Sequence, residues 1–451
     1  MNAPEKRFLA SDVRAGQDDS ASRGRRIAVV GGGIAGLASA WLLAREHRVT
    51  LFEAASYVGG HSNTVDIEVD GLRHPVDTGF LVFNERTYPN LCALFSELRV
   101  PVAKSEMSFA VSVDAPDFEW AGADLGTVFA QRRNLARPAM WRMLADIIRF
   151  NRAATAMATH STAPQMSLGD YLNSEGYGQA FRHCYLLPMA AAIWSCPTRS
   201  MLAYPLATFV RFCRNHGLLQ VLDRPQWMTV CGGAREYVRR MLATLDDVRV
   251  ACPVEHVARD ASGAWLRAGG AAERFDEVVF ACHSDQTLAI LGDGVSEDEC
   301  SVLAAVPYQR NRAVLHTDPA LLPRRRAVWS AWNYLSAGGS DETRPVSVSY
   351  LINRLQPVPF KSPVVVSLNP FREPDPHHVI AEFDYAHPVF DQGAIDAQTR
   401  LASLQGQRHS WFAGAWTGYG FHEDGLRSAM RVAEGLGVYA PWKVAAGRVA
   451  A

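Results

Sequence analysis

Lysine is scarce in this sequence: of 45 basic residues only Lys6, Lys104, Lys361 and Lys443 are lysines. Any chemistry that depends on a lysine is confined to those positions. The eight cysteines are dispersed and form no C-x-x-C pair. That excludes the usual zinc and thioredoxin-like patterns, so no metal is expected and the thiols read as reduced, in a cytoplasmic protein. No run reaches the ~18 apolar residues a membrane helix needs. The longest candidate, 184–196, is short and contains Pro188. Residues 1–24 are polar without an apolar core, which argues against a secretory signal and for disorder. The Arg25-Arg26 pair faintly resembles a twin-arginine signal, but the apolar stretch after it has another explanation. Charge of one sign is missing too: 45 basic against 46 acidic residues leave a net −1. That gives no global field for nucleic acid, and none is expected as a partner. The 451 residues, 48% hydrophobic and 20% charged, suit a globular enzyme of two to three domains.

What is present begins at Arg26. Arg26-Ile-Ala-Val-Val30 reads as a strand, Gly31-Gly32-Gly33-Ile34-Ala35-Gly36 as a tight turn, and Leu37 onward as a helix. A second strand, Arg48 to Phe52, ends in Glu53. Gly31, Gly33 and Gly36 make a G-x-G-x-x-G pattern, with an acid 22 residues after Gly31. Gly31 permits the turn, Gly33 lets backbone approach a pyrophosphate, and Gly36 lets helix and strand pack closely. The helix start offers N–H groups and positive potential to phosphate. Glu53 suits ribose hydroxyls. Strand context and the spaced acid together make this a strong dinucleotide signal.

After Glu53 come Ala54 and, five residues further, Gly59-Gly60-His61. This arrangement resembles the extended fingerprint of the flavin-containing amine oxidase, phytoene desaturase and protoporphyrinogen oxidase superfamily. His61 stands where that superfamily usually has a phosphate-binding Arg. Val230-Cys-Gly232-Gly233, Cys252-Pro-Val254-Glu-His-Val257, Glu277-Val-Val-Phe-Ala281 and Trp411-Phe-Ala-Gly414 resemble further superfamily elements in order. The last leads to Gly425-Leu-Arg-Ser-Ala-Met-Arg-Val-Ala433, a helix whose N-terminus faces the flavin. The resemblance implies one non-covalent FAD, since no second glycine motif exists and no Cys lies in the closing motif. Its implied contacts are Gly31, Gly33, Ile34, Ala35 and Gly36 at the turn, then Glu53 and Ala54. Gly59, Gly60, His61 and Ser62 follow, with Thr78, Gly79 and Phe80 beneath the isoalloxazine. Val254, Ala281, Gly414, Ala415, Asp424, Gly425 and Leu426 complete the set.

These scattered pieces predict an α/β fold, α+β overall. A discontinuous Rossmann-like FAD-binding domain (25–105, 225–285 and 406–440) carries an inserted substrate domain of mixed sheet and helices (106–224 and 286–405). A tail spans 441–451. The substrate domain opens as a hairpin, Phe109 to Trp120, turns helical, and later alternates strand-like runs such as 312–316, 346–352 and 364–368. Asp70-Gly71 suits a type I′ turn between two further strands.

The most informative stretch is Trp416-Thr-Gly-Tyr419-Gly-Phe-His422-Glu423-Asp424. The resemblance places it on the substrate side of the flavin. A histidine, whose ordinary pKa lies near neutral pH, suits the role of proton acceptor at His422. Glu423 and Asp424 are the other candidates, or they orient His422. For Asp424 the helix-cap reading comes first. Arg86 is a candidate for a substrate carboxylate or ester, and equally a salt-bridged surface Arg. Met189, Ile193, Trp194, Trp329, Trp332, Tyr334 and Tyr350 fit either an apolar tunnel or plain core. Trp194, Tyr350, Trp416 and Tyr419 are the aromatic substrate candidates. Between Gln131 and Arg152 six arginines face the single acid Asp146. That tract reads as a membrane-surface helix or as a domain helix with a solvated Arg face. The first reading places the protein peripherally on the inner face of the cytoplasmic membrane.

Amine oxidases of the superfamily commonly use a Lys that holds water against the flavin. Here Lys361 is the only candidate, in an unconvincing context. From Arg26 to Gly437 the chain also resembles a narrower bacterial group of NAD/FAD-binding proteins, through 59–65, 76–89, 307–311 and 416–426. That group is commonly encoded beside cyclopropane-fatty-acid-synthase-like methyltransferases, so the resemblance implies such a partner and an acyl-chain substrate. The leading reading is an FAD-dependent desaturase of unsaturated or methyl-branched fatty acyl chains, with the substrate free or in phospholipid. A redox-neutral fatty-acid isomerase, an amine oxidase and a non-catalytic flavin-binding partner are the alternatives.

Overall fold

Ile27, Ala28, Val29 and Val30 are apolar and buried without a polar alternate, the pattern of a strand covered on both faces. The structure, a computed structural model, describes residues 24–220, 225–338 and 346–443. Residues 1–23 of the segment expected to be disordered, and the tail from 444, lie outside the described residues. The described chain is a mixed α/β fold that divides into two compact units: the described residues of 24–60, 238–305 and 397–443 in one, and those of 61–237 and 306–396 in the other.

The first unit is built on a five-stranded parallel sheet. Its strand order is Ser410–Phe412, Glu277–Phe280, Arg26–Val30, Arg48–Phe52 and Asp247–Arg249. Val29 pairs with Leu51 on one side and Val279 on the other. The helices Ile34–Leu43 and His422–Gly435 pack on each other in this unit. A three-stranded antiparallel sheet over Val254–Asp260, Gly263–Ala268 and Ala271–Phe275 is added to it. One ion pair in this unit is fully buried: Arg259 donates to Glu299 (2.5 and 2.9 Å), to Ser410 Oγ (2.9 Å) and to the Gly294 carbonyl (2.7 Å). Burial acts to raise the Glu299 carboxyl, but the Arg259 and Ser296 bonds hold it below the usual range. Its contribution is thus present above the unfolded value and lost on acidification. Glu299→Ala leaves Arg259 charged and buried, and should cost about 3–5 kcal/mol in urea unfolding at neutral pH.

The second unit carries a seven-stranded sheet. Its order is Val379–Pro388, Tyr308–His316, Val365–Leu368, Val348–Leu351, Trp332–Ser336, Phe109–Val113 and Phe118–Ala121. All neighbours are antiparallel except Trp332–Ser336 with Phe109–Val113. The hairpin Thr64–Val69 and Leu72–Asp77 turns at Asp70 and Gly71, both at positive φ (55° and 71°), as a type I′ turn requires. Ile67, Val69 and Val76 from this hairpin share one buried cluster with Ala313, Leu315 and Val366 of the large sheet. Through that burial the hairpin packs with the large sheet of this unit. Helices between 125 and 215 form a separate layer around Phe150, whose ring meets Tyr177 (5.7 Å) and Phe181 (5.6 Å). Among the described residues no helix is long and apolar enough to cross a membrane.

Candidate dinucleotide site and its neighbours

In the first unit, Gly31 follows its strand at φ 104°, a conformation that favours glycine. A Cβ at Gly31 would meet Cys282 N at 2.9 Å, and one at Gly36 would run into the Gly31 carbonyl. Those two glycines answer to packing. Gly33 is different: a Cβ there would meet no protein atom within 4 Å, and its φ is −68°. The space beside it is open, as a pyrophosphate cradle requires. Both oxygens of Glu53 accept backbone N–H groups, Oε2 from Gly32 (2.6 Å) and Oε1 from Ala55 (2.7 Å). A carboxylate has about four acceptor sites, so capacity remains for two ribose hydroxyls. Cys252 N donates to the Glu53 carbonyl (2.9 Å), which sets the approach to Val254 beside it. Ala281 N closes onto the Val30 carbonyl (2.8 Å), and Gly59 N onto that of Gly32 (2.9 Å). Gly60 lies so near the turn that a Cβ on it would meet Gly33 Cα at 3.2 Å.

The closing helix begins against the first one. A Cβ at Gly425 would meet Ile34 Cγ2 at 2.9 Å and the Ala35 and Ala415 nitrogens at 3.7 Å. Two helix N-termini therefore converge, and their partial positive charges add. Leu426 is fully buried behind them. Gly414 N donates to Ser428 Oγ (2.9 Å), whose hydroxyl donates to the Gly425 carbonyl (2.6 Å). Trp416 is 3% exposed, and its Nε1–H is buried with no acceptor among the described residues. Such an orphaned donor costs about 1–3 kcal/mol unless a ligand oxygen or nitrogen meets it. The glycine turn, the engaged Glu53, the paired N-termini and this donor fit a bound dinucleotide.

The loop before the closing helix is held by Asp424, which accepts from Tyr419 N and Phe421 N (3.1 Å each). Burial pushes its carboxyl up to about 6. The carboxylate sequence reasoning placed on the cofactor thus also caps the helix. His422 opens the helix half-buried and Glu423 follows at 5% exposed.

The second unit brings together residues that no motif had linked. His61 stacks on Tyr385 (4.8 Å between centroids) and lies 4.9 Å from the His387 ring. Tyr385 OH shares a hydrogen bond with Thr78 Oγ1 (2.8 Å) and accepts from Asn63 Nδ2 (3.1 Å). Burial raises this phenol above its usual range. Phe80 N donates to the His61 carbonyl (2.7 Å), Gly79 lies against that same carbonyl, and Ser62 is hydrogen-bonded to Tyr237. A chain of amides then fixes His387. Arg312 N donates to Asn369 Oδ1 (3.0 Å), and Asn369 Nδ2 donates to Asn311 Oδ1 (2.6 Å). Asn311 Nδ2 donates to the Gln309 carbonyl (3.1 Å) and faces His387 Nδ1 (2.8 Å). Nδ1 must accept, so the neutral ring carries its proton on Nε2. Phe383, Tyr385 and His387 share one face of their strand; that period of two was the available signal.

Asp77 is fully buried in this unit and accepts from Thr64 Oγ1 (2.5 Å), Ala234 N (2.9 Å) and Gln356 Nε2 (2.7 Å). Of the substrate candidates, Arg86 is exposed and donates to Gln220 (3.1 Å). Trp194 packs among helical aromatics, 4.4 Å from Phe212 and 5.0 Å from Tyr204. Tyr350 meets Trp332 edge-on at 4.9 Å and hydrogen-bonds Ser195. Trp329 belongs to another cluster, with Leu322, Leu351 and Val365. Lys104, Lys361 and Lys443 are all exposed, and Lys361 N is tied to Asp70 at the hairpin turn (2.7 Å).

Residues 29–98 match the model of a family described as NAD(P)-binding Rossmann-like domain. No curated protein matches the chain. Among solved structures, a protein described as a protoporphyrinogen oxidase from Exiguobacterium sp. 255-15 is similar over 92% of this chain and 99% of its own, at 17% identity and TM-score 0.64. The chain has the fold of this and other solved oxidases. A CLA-producing fatty acid isomerase from P. acnes has the same coverages at 15% identity and TM-score 0.65. Cyclohexylamine oxidase from Brevibacterium oxydans IH-35A, also at 15%, gives 0.63 over the same shares. One fold thus serves substrates as different as an amine and an acyl chain, so substrate must be argued from side chains.

Proposed function

We propose that the chain binds FAD and is an oxidoreductase of unsaturated or methyl-branched fatty acyl chains. The observation that carries the cofactor is the cradle: open space at Gly33 beside a Glu53 already oriented by two N–H groups. FAD bound there supplies two-electron chemistry, accepting a hydride from carbon. Desaturation removes a hydride from an allylic carbon and a proton from its neighbour. His422 takes that proton, and Glu423 on the same first turn is its partner or substitute. The exposure of every described lysine speaks against an amine-oxidase chemistry that needs a lysine-held water.

Under anaerobic conditions an unsaturated or methyl-branched phospholipid should bleach the flavin absorbance of the holoprotein, and polyamines should not. Bleaching by polyamines alone would sink the acyl reading. Shifted double bonds with the flavin still oxidised would replace desaturation by isomerisation. His422→Ala should slow bleaching about 10²–10⁴-fold; an unchanged rate would remove His422 from the role. Trp416→Phe separates a ligand donor from a core residue. It deletes the orphaned N–H and keeps a ring there, so FAD titration should show about tenfold weaker binding, a loss larger than any drop in apoprotein melting from the smaller ring.

A further inference from the structure

We propose that the outer face of the helix Pro138–His160, with the turn leading into it, is a docking surface for an anionic lipid bilayer. The helix buries Met140, Met143, Phe150 and Ala154. At ~100° per residue, Trp141, Ala145, Ile148 and Arg152 project to the opposite side. Trp141 and Ile148 are each 52% exposed, so this stripe is not the core face. Leu125 (78%) and Leu135 (47%) extend it. Leu125 lies one turn before Phe129, whose ring packs on Trp141 at 5.3 Å, and Trp141 Nε1 donates to the Leu135 carbonyl (2.9 Å). Four of the ten exposed large apolar residues among the described residues thus fall within 125–148. Scattered exposed apolar residues need no explanation, but a joined patch does.

Charge selects the occupant. Arg133 is committed to Asp117 and Arg149 to Asp146. Arg132, Arg142 and Arg152 are exposed and have no acidic partner among the described residues. An indole and aliphatic side chains flanked by uncommitted guanidinium groups match the boundary between acyl chains and anionic headgroups. A second protein surface would have to bring acids to three arginines and an apolar pocket to Trp141.

The test is co-sedimentation of the full chain with vesicles of phosphatidylcholine, alone or mixed with phosphatidylglycerol. Binding to the mixed vesicles only, released by salt, is expected. Each uncommitted arginine should contribute about fivefold, so Arg132, Arg142 and Arg152 together changed to Ala should lose roughly a hundredfold. Trp141→Ser should lose about tenfold, and Arg431→Ala, exposed on another helix, nothing measurable. The three arginines are exposed and without acidic partners among the described residues, so the unfolding midpoint of their triple variant should not move. Equal binding to both vesicle types, an equal loss in Arg431→Ala, or no binding at low salt would overturn the proposal. So would a dimer that Trp141→Ser dissolves, or duplex DNA that displaces the vesicles. The surface does not rest on the acyl-chain reading. Bleaching by a dispersed fatty acid without vesicle binding fails the surface alone, and vesicle binding without bleaching fails the reaction alone.

Discussion

Asp77→Ala is expected to destabilise the chain by about 3–6 kcal/mol at neutral pH, a large share of the stability of an ordinary domain. The substitution orphans three donors at once: the part-buried Thr64 hydroxyl, and the buried Ala234 N–H and Gln356 amide. Relief of a buried charge offsets only part of that. Asp77 joins the end of one strand, Leu72–Asp77, to the turn before the helix Arg235–Leu242. Gln356 locks the arrangement from a third segment, since its Oε1 accepts from Asp77 N (3.0 Å) while its Nε2 donates back. Asp77→Asn should cost less, because its amide oxygen keeps the Thr64 and Ala234 bonds and only its NH₂ meets the Gln356 donor.

The same residue gives a pH signature. Burial raises the Asp77 carboxyl from 3.8 to about 6, against the pull of Thr64, Ala234 and Gln356. A raised native value means that folding takes up a proton between those limits. The contribution is fully present below the unfolded value and is lost as pH rises through 6. At about 1.4 kcal/mol per unit it amounts to roughly 3 kcal/mol. Asp424, also raised to about 6 by burial, adds a term of the same sign. Glu299 and Glu119, held low by Arg259 and Arg325 despite burial, act in the opposite direction at lower pH. The test is therefore a difference: denaturant unfolding of wild type and Asp77→Asn from pH 4 to 8. Wild type should lose stability relative to the variant as pH rises through 6, and parallel curves would refute the assignment.

Asp77 also marks the limit of what the chain declares about itself. The glycine turn and Glu53 are legible because the constraint is local: a strand, a turn at positive φ and a helix start within a dozen residues. The Asp-Gly turn at 70–71 is legible for the same reason. The partners of Asp77 lie 157 and 279 positions away, and no spacing rule predicts such a meeting. The His61, Tyr385 and His387 rings are likewise joined by the sheet and not by a motif. Alternation along Val379–Pro388 tells which side chains share a face, and only the pairing register with Tyr308–His316 sets Asn311 beside His387. The Arg-rich helix shows the reverse difficulty. Apolar residues occupy most of its circumference, so Trp141, Leu144 and Ile148 look as much like a core stripe as Met140, Met143 and Phe150 do. Burial distinguishes them, and burial is a property of what the rest of the chain supplies.

Where the constraint is local, two alanine substitutions three residues apart should fail in opposite ways. Gly33→Ala places a methyl where no protein atom lies within 4 Å, on a backbone with φ −68° that any residue adopts. The apoprotein should fold as before, or gain about 0.4–1 kcal/mol from a stiffer unfolded chain. On the proposed cofactor placement that methyl would block the pyrophosphate, so the purified variant should carry no flavin, and titrated FAD should not raise its melting temperature. Gly36→Ala drives its methyl into the Gly31 carbonyl, which neither helix nor strand can yield without breaking the close packing of Ile34–Leu43 on the sheet. This variant should lose stability by several kcal/mol before any ligand is added. The measurements are flavin absorbance of the isolated proteins and thermal unfolding of both apoproteins. A Gly33→Ala protein that keeps its flavin would show that the open space at Gly33 is not where the dinucleotide passes. A Gly36→Ala apoprotein that melts with wild type would show that the helix reaches the strand by a looser fit than the Gly31 contact requires.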